Sequence, residues 1–290
     1  MQKLIVIVGP TGSGKTKIAI EITKKINGAL INADAYQVYK EIEIGTAKAT
    51  KDEYQDIEVY NNGDVSINEE WDIKIFQGKA KKIIDTIINK GKIPIIVGGS
   101  NLYVEALIFN YDLSAKPRTS LYEELTNEQL YEQIKNINPD IASKIQIQNK
   151  RRLVRALQIL KNNDPFQQKN EQIYKSLLIT PHIELPKLLE KVANNVDKML
   201  NKGWKKEVED LYKKDKNISS LNAFKAIGYQ EILDSIINNT EINIEQIKHK
   251  TRKYARRQIT WIKNKFKNVL VYNNNFEQII EKINEFLRNN

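Results

Sequence analysis

Five consecutive apolar residues, Leu4-Ile5-Val6-Ile7-Val8, run directly into Gly9-Pro10-Thr11-Gly12-Ser13-Gly14-Lys15-Thr16. An apolar run stopped by glycine and proline reads as a strand buried on both faces of a parallel sheet. The segment after it matches G-x-x-x-x-G-K-[ST], and Ile18, Ala19 and Ile22 then recur at helical spacing over Lys15–Lys25. Strand, glycine loop and helix in that order form an anion cradle. The glycines let main-chain N–H groups converge and the helix adds the positive end of its dipole. Lys15 supplies a point charge, and the Thr16 hydroxyl is placed to ligate Mg²⁺. Gly9, Pro10, Thr11, Gly12, Ser13, Gly14, Lys15 and Thr16 are thus the expected diphosphate-binding residues. The loop selects phosphates and no nucleobase: ATP, GTP or an alkyl diphosphate would satisfy the same amides. An ordinary glycine turn is the plainer alternative.

The rest of the chain extends this start into an α/β fold. Ala29–Ala33 and Lys92–Val97 are further short apolar runs, the second stopped by Gly98-Gly99. Between them Asp72–Asn89 carries Ile75, Phe76, Ala80, Ile83, Ile84 and Ile87 at helical spacing. Strands alternating with helices imply crossovers and a P-loop NTPase-like doubly wound parallel sheet. Beyond Asp112 the strand signal fades into short charged helical stretches interrupted by Pro117, Pro139 and Pro165. Leu177–Thr180 reads as a strand returning to the sheet, and Asp197–Tyr212, Asn222–Asn238 and Ile244–Phe266 read as helices. The expected division is a core over 1–112 and 177–290, with an inserted helical subdomain over 113–176.

Composition removes several chemistries. Cysteine is absent, so disulfides, thiol nucleophiles and Cys-based zinc sites are out, and the two histidines, His182 and His249, are far apart in sequence. The N-terminal apolar run is too short for a signal peptide or a membrane span, and no later stretch reaches spanning length without charges. A cytoplasmic, monomeric protein without membrane contact is expected. Formal net charge is +10, which favours a polyanionic partner through counterion release. Genomic base composition would also enrich Lys, Asn and Ile, so the position of the charge matters more than its sum.

Two positions give that charge a place. From Lys248 to Lys267 there are nine Lys/Arg and no acidic residue. On a helix Ala255, Ile259, Ile262 and Phe266 would form an apolar seam, with Arg252, Arg256 and Lys263 on another face. Arg151, Arg152 and Arg155 form a second cluster. Solvated helix surface is the bland reading of both. Near the phosphate loop, Asp34 ends the second strand, in the crevice where open α/β sheets bind ligands. There it could serve as a general base, as a water-mediated Mg²⁺ ligand, or as a turn or cap residue.

Five segments in order give the chain a family. Asp34-Ala35-Tyr36-Gln37-Val38-Tyr39 with Gly45-Thr46-Ala47-Lys48 resembles the D-S-x-Q-V-Y…G-T-A-K-P signature of tRNA dimethylallyltransferases. Val97-Gly98-Gly99-Ser100-Asn101-Leu102-Tyr103 resembles their V-G-G-T-G-L-Y, and Arg151-Arg152-Leu153-Val154-Arg155-Ala156-Leu157 their R-R-x-x-R-A-L. Ala226-Ile227-Gly228-Tyr229 is similar to A-I-G-Y, and Tyr254-Ala255-Arg256-Arg257-Gln258-Ile259-Thr260-Trp261 to Y-A-K-R-Q-x-T-W. The resemblance implies transfer of a dimethylallyl group from dimethylallyl diphosphate to N6 of the adenosine 3′ of the anticodon (position 37) in tRNA, with Mg²⁺ and without ATP. It also implies roles: Asp34 as general base, Lys15 and Thr16 at the leaving diphosphate. Contact with the anticodon stem-loop would come from Asp34, Ala35, Tyr36, Gln37, Ser100, Arg151, Arg152, Arg155, Arg252, Arg256, Arg257 and Lys263.

Some positions depart from the family pattern. Ala35 and Ser100 stand for serine and threonine, and Ala49 for the proline after G-T-A-K. Leu185, Lys191 and Asn195 occupy a stretch where the family has arginines. The segment Tyr54–Trp71 matches poorly and receives no role. The alternatives are an adenylate isopentenyltransferase, which needs no RNA-binding face, a P-loop small-molecule kinase, which needs a nucleobase pocket and an arginine lid, and a non-catalytic RNA-binding protein.

Overall fold

The apolar run forms a central strand because both its faces are covered. In the computed structural model, which describes residues 1–166 and 172–289, β1 (Gln2–Val8) is followed by α1 (Lys15–Lys25), β2 (Gly28–Asn32), α2 (Lys51–Tyr54), β3 (Val59–Tyr60), α3 (Ile73–Asn89), β4 (Ile93–Gly98) and α4 (Asn101–Ile108). Next come α5 (Asn127–Ile137), α6 (Pro139–Ser143) and α7 (Lys150–Asn162). The chain then continues through β5 (Tyr174–Pro181), α8 (Leu185–Asn201), α9 (Trp204–Lys214), α10 (Tyr229–Ile237), α11 (Ile244–Lys265), β6 (Leu270–Tyr272) and α12 (Phe276–Arg288). Two compact units result: residues 1–108 with 172–290, and residues 109–171.

The first unit holds a six-stranded sheet, order β3-β2-β4-β1-β5-β6, every pair parallel. Ile5, Ile7, Leu30, Ile95 and Val97 face one side, under Ile18 and Ile22 of α1 and Ile279, Ile280 and Ile283 of α12. Their neighbours Val6, Ile31 and Ile96 are equally buried and point the other way, toward α3 and α4. β1 leads to β2 across β4, whereas the chain after β4 returns to β5 on the far side of β1. The β1–β4 boundary is therefore the topological switch, and the carboxyl ends of β1, β2 and β4 surround its crevice. No helix among the described residues is long and apolar enough to cross a membrane.

The second unit is a small helical body. Leu130 and Ile134 of α5, Ala142 of α6, and Leu153, Val154 and Leu157 of α7 form its core. Pro139 starts α6 rather than breaking a helix, because an N-terminal turn has no partner for the missing N–H. Residues 167–171 of the helical stretch expected over 113–176 lie outside the described residues.

Three expectations are redrawn. The helix read over Asp197–Tyr212 is two helices, α8 and α9, divided at Gly203 with φ 99°. The helix read over Asn222–Asn238 starts as a 3₁₀ turn at Asn222–Lys225 and becomes α10 only after Gly228, φ 93°. A left-handed residue ends a helix whatever the apolar spacing around it. The segment left without a role, Tyr54–Trp71, contains β3, an edge strand of the sheet.

Candidate functional site

A cavity of about 570 Å³ opens at the switch point, wholly within the first unit. The phosphate loop forms one wall through Thr11, Gly12, Gly14, Lys15 and Thr16, and the turn after β2 forms another through Asp34, Tyr36 and Gln37. Gly9, Pro10 and Ser13 do not line it. The Ser13 N–H closes the loop's turn on the Pro10 carbonyl at 3.2 Å, and Ser13 is buried. The structure thus divides the eight loop residues into five that face the cavity and three that shape the loop.

Asp34 does two things at once. Its Oδ1 accepts the main-chain N–H of Tyr36 at 3.0 Å and of Gln37 at 3.3 Å, the geometry of an Asx turn. Its own N–H donates to Asn32 Oδ1 at 3.0 Å. The carboxylate is therefore fixed by the backbone that follows it while lining the cavity with Lys15 and Thr16. Burial lowers the pKa of the Lys15 ammonium from its ordinary value, and the Asp34 charge offsets part of that shift.

Neighbouring motif residues are mostly occupied in holding this turn. The Gln37 amide accepts from Asn32 Nδ2 at 2.9 Å and donates to the carbonyls of Thr46 at 2.9 Å and Ala47 at 3.3 Å. Both of its N–H donors are thereby spent on the protein. Ser100 Oγ accepts the Ala35 N–H at 2.9 Å, pinning the Asp34–Ala35 backbone to the turn after β4. Lys48 donates to the carbonyls of Tyr39 at 2.6 Å and Lys40 at 3.2 Å, and burial lowers its pKa.

The loop carrying Gly45 and Thr46 reaches the cavity because a partly buried polar knot holds its back. Glu207 Oε2 accepts the N–H groups of Glu43 at 2.8 Å and Ile44 at 2.9 Å, and Oε1 accepts the Tyr229 hydroxyl at 2.6 Å. Gly45 N–H donates to the same Tyr229 oxygen at 3.1 Å. The indole of Trp204 lies edge-on to the Tyr229 ring, centroids 5.5 Å apart. Burial and the Glu207 charge push the Tyr229 phenol well up.

α8 and α11 close the cavity. Leu188 and Val192 of α8 pack on Ala255 of α11, with Ile259 against them. Of the expected apolar seam, Ala255, Ile262 and Phe266 are buried and Ile259 is half-buried. Lys191, Val192, Asn195, Val196 and Met199 line the cavity from α8, and Thr251, Tyr254, Arg257 and Gln258 line it from α11. Of the basic residues expected on α11, Arg257 faces the cavity. Arg256 and Lys263 are exposed and Arg252 is half-buried, all three outside its wall. Lys248 pairs with Asp197 at 2.8 Å, and Lys250 pairs with Glu231.

In the second unit, Arg151 and Arg152 are exposed on the first turn of α7, whereas Arg155 spends part of its guanidinium on the Lys116 carbonyl at 2.8 Å.

Sequence reasoning missed Glu207, Trp204 and Gln258. A lone Glu or Trp on a helix has no outward sign of its partner, and Gln258 stood inside a matched motif without an assigned task.

Among the described residues no cluster of three His, Asp, Glu or Cys side chains could hold a metal. The Thr16 hydroxyl lines the cavity with two carboxylates, Asp34 and Glu53, the second of which accepts the Thr50 N–H at 2.8 Å. That sparse oxygen set suits Mg²⁺, which keeps several waters and takes its other ligands from substrate phosphates.

Comparison with known proteins points one way. The IPP transferase family model matches residues 37–265, and a model described as isopentenyl transferase matches residues 2–70. The chain is 39% identical to the tRNA dimethylallyltransferase of Malacoplasma penetrans, covering 99% of this chain and 98% of that one. It is 38% identical to that of Oceanobacillus iheyensis, covering 99% and 96%. Among solved structures it matches a tRNA delta(2)-isopentenylpyrophosphate transferase from Staphylococcus epidermidis with TM-score 0.73, 31% identity and 99% of both chains covered. A eukaryotic dimethylallyltransferase acting on tRNA superposes with TM-score 0.84 at 28% identity, over 99% of this chain and 80% of that one.

Proposed function

The chain belongs to the IPP transferase family, and from that premise we propose that it moves the dimethylallyl group of dimethylallyl diphosphate onto N6 of the adenosine 3′ of the anticodon, position 37, in tRNA. The observation that carries this reading is the single cavity lined by the phosphate loop, Asp34 and α11. A diphosphate and a nucleobase amine have to meet at one carbon, and the loop offers groups for the first and Asp34 for the second, with the α11 wall beside them.

The chain's own groups supply the following work. Gly12, Gly14, Lys15 and Thr16 receive the diphosphate, where negative charge grows as the carbon–oxygen bond breaks. Thr16 Oγ1 would hold Mg²⁺, which when bound would add further charge neutralisation at the leaving pyrophosphate. The amine nitrogen forms the new bond to carbon, pyrophosphate departs with the bonding pair, and the amine's proton passes to the Asp34 carboxylate. The adenosine must leave the anticodon-loop stack to reach this point, which costs a few kcal/mol, less in an already open loop. Arg257 at the rim, with Arg256, Arg252 and Lys263 outside it, would hold the loop's phosphates. Arg151 and Arg152 on the second unit would serve the same partner.

The test is direct. Purified protein is given Mg²⁺, labelled dimethylallyl diphosphate and unmodified tRNA with adenosine at position 37. Label entering that tRNA without ATP is the expected result. Label on AMP but not tRNA would replace the reading with free-nucleotide prenylation, and phosphate transfer from ATP would replace it with a kinase.

A further inference from the structure

Gln258 is buried on α11, yet its carboxamide reaches into the gap between two loops of the sheet. Its Oε1 accepts the main-chain N–H of Thr11, in the phosphate loop, at 2.9 Å. Its Nε2 donates to the carbonyl of Gly99, in the turn after β4, at 2.8 Å. Its own main-chain carbonyl accepts from Asn101 Nδ2 at 3.1 Å. One side chain thus bonds both strand ends that flank the switch point, and it does so from the helix that carries Arg257 and Tyr254 into the cavity.

The contact is built at close range. A Cβ on Gly99 would lie 2.6 Å from Gln258 Nε2, and 3.5 Å from Lys15 Nζ. Glycine at 99 is what lets the Gln258 amide come this close to the turn, with the Lys15 ammonium beside it. The Thr11 N–H is committed to Gln258 and the Ser13 N–H to Pro10. Convergence on phosphate is left to the amides that follow, and the curvature that aims them is set where Gln258 holds Thr11.

We infer that Gln258 is a positioning residue for the diphosphate: it fixes the phosphate loop against the β4 turn and ties that loop to α11. It touches no reacting atom. This rests on the diphosphate reading of the loop and deepens it. The same brace joins the helix proposed to receive RNA to the loop proposed to receive the isoprenoid diphosphate.

The probe is inorganic pyrophosphate with Mg²⁺, titrated calorimetrically against the full chain, so that binding is read apart from turnover. Gln258→Ala removes both hydrogen bonds, and each is worth a several-fold effect; pyrophosphate affinity should fall about tenfold or more. KM for dimethylallyl diphosphate should rise in step, while tRNA affinity, measured alone as a control for folding, stays within about threefold. Gly99→Ala should weaken pyrophosphate by a similar factor, because its new methyl displaces the amide. In the Gln258→Ala background that methyl meets no amide, and Gly99→Ala should cost little more. Pyrophosphate affinity within twofold of the parent in Gln258→Ala, or losses that simply add in the double variant, overturns the inference. If pyrophosphate binding depends on Gln258 as described but no label enters tRNA, the positioning role stands and the proposed reaction falls.

Discussion

The indole of Trp204 fills the place where a side chain on Gly45 would stand: a Cβ there would lie 2.1 Å from Trp204 Nε1. The far edge of the same ring blocks Gly228, whose Cβ would lie 2.0 Å from Trp204 Cη2. Two glycines from separate family motifs are thus explained by one buried tryptophan. Trp204 is rigid and wholly packed, so it cannot yield to an added methyl.

Gly45→Ala should therefore destabilise the fold by about 1–3 kcal/mol or more, as overpacking does. It should also shift the Gly45–Thr46 loop, loosening the Glu43 and Ile44 amides from Glu207. Denaturant unfolding checks the first effect, and faster hydrogen exchange at Glu43 and Ile44 checks the second. Because Gly45 does not have a left-handed φ, wild-type stability in Gly45→Ala would mean that Trp204 is not seated as described.

Asp34→Asn separates the two tasks of that residue. Asparagine keeps an Oδ1 to accept the Tyr36 and Gln37 N–H groups, so the turn should persist and the melting temperature should hardly move. It cannot take a proton at neutral pH. Turnover should fall about 10²- to 10⁴-fold, the usual worth of a general base, with tRNA binding nearly intact. Near-normal single-turnover rates would remove Asp34 from proton transfer and leave it the turn alone.

What the sequence made legible follows from burial. β1, β2 and β4 are covered on both faces, so each is a continuous apolar run, and the phosphate loop is local in sequence. β3, at two residues, and β6, at three, are edge strands too short to carry a pattern. Gln258 and Thr11 are 247 positions apart, and Glu207 and Glu43 are 164 apart. No local spacing announces such a bond, although both glutamine and glycines stood inside recognisable motifs. Asp34 was readable as base or turn residue, and its geometry shows why the alternatives could not be separated: Oδ1 shapes the turn while the same carboxylate lines the cavity.

Lys15 gives the proposed diphosphate site a pH signature. Burial lowers its pKa in the free protein, so the ammonium is present below that value and is lost as pH rises through it. A bound polyanion favours the charged form and raises the pKa again. Pyrophosphate affinity should hence be highest on the acid side of the free-protein value and decline at higher pH, earlier than an ordinary lysine would impose. Binding in the declining range should take up a proton, measurable by calorimetry in buffers of differing ionisation heat. Lys15→Met should bind more weakly and lose that limb; an unchanged alkaline limb would assign it to another group.

The basic face of α11 can be sorted by which cations are already neutralised. Lys248 is held by Asp197 and Glu245, and Lys250 by Glu231, so counterions of those lysines are partly replaced by the protein itself. Arg256 and Arg257 are exposed and carry no ion pair among the described residues. Replacing a cation that contacts a phosphate removes close to one released counterion from the salt dependence. Arg256→Ala with Arg257→Ala should thus weaken tRNA binding and flatten the slope of log K against log salt by about one to two. Lys248→Ala with Lys250→Ala should change the slope much less, since each removes a charge that was already shared. Filter binding of one unmodified tRNA across a salt series distinguishes the pairs. Equal slopes for the arginine variant and its parent would turn this face of α11 away from RNA, because affinity lost through folding alone leaves the count of released ions where it was.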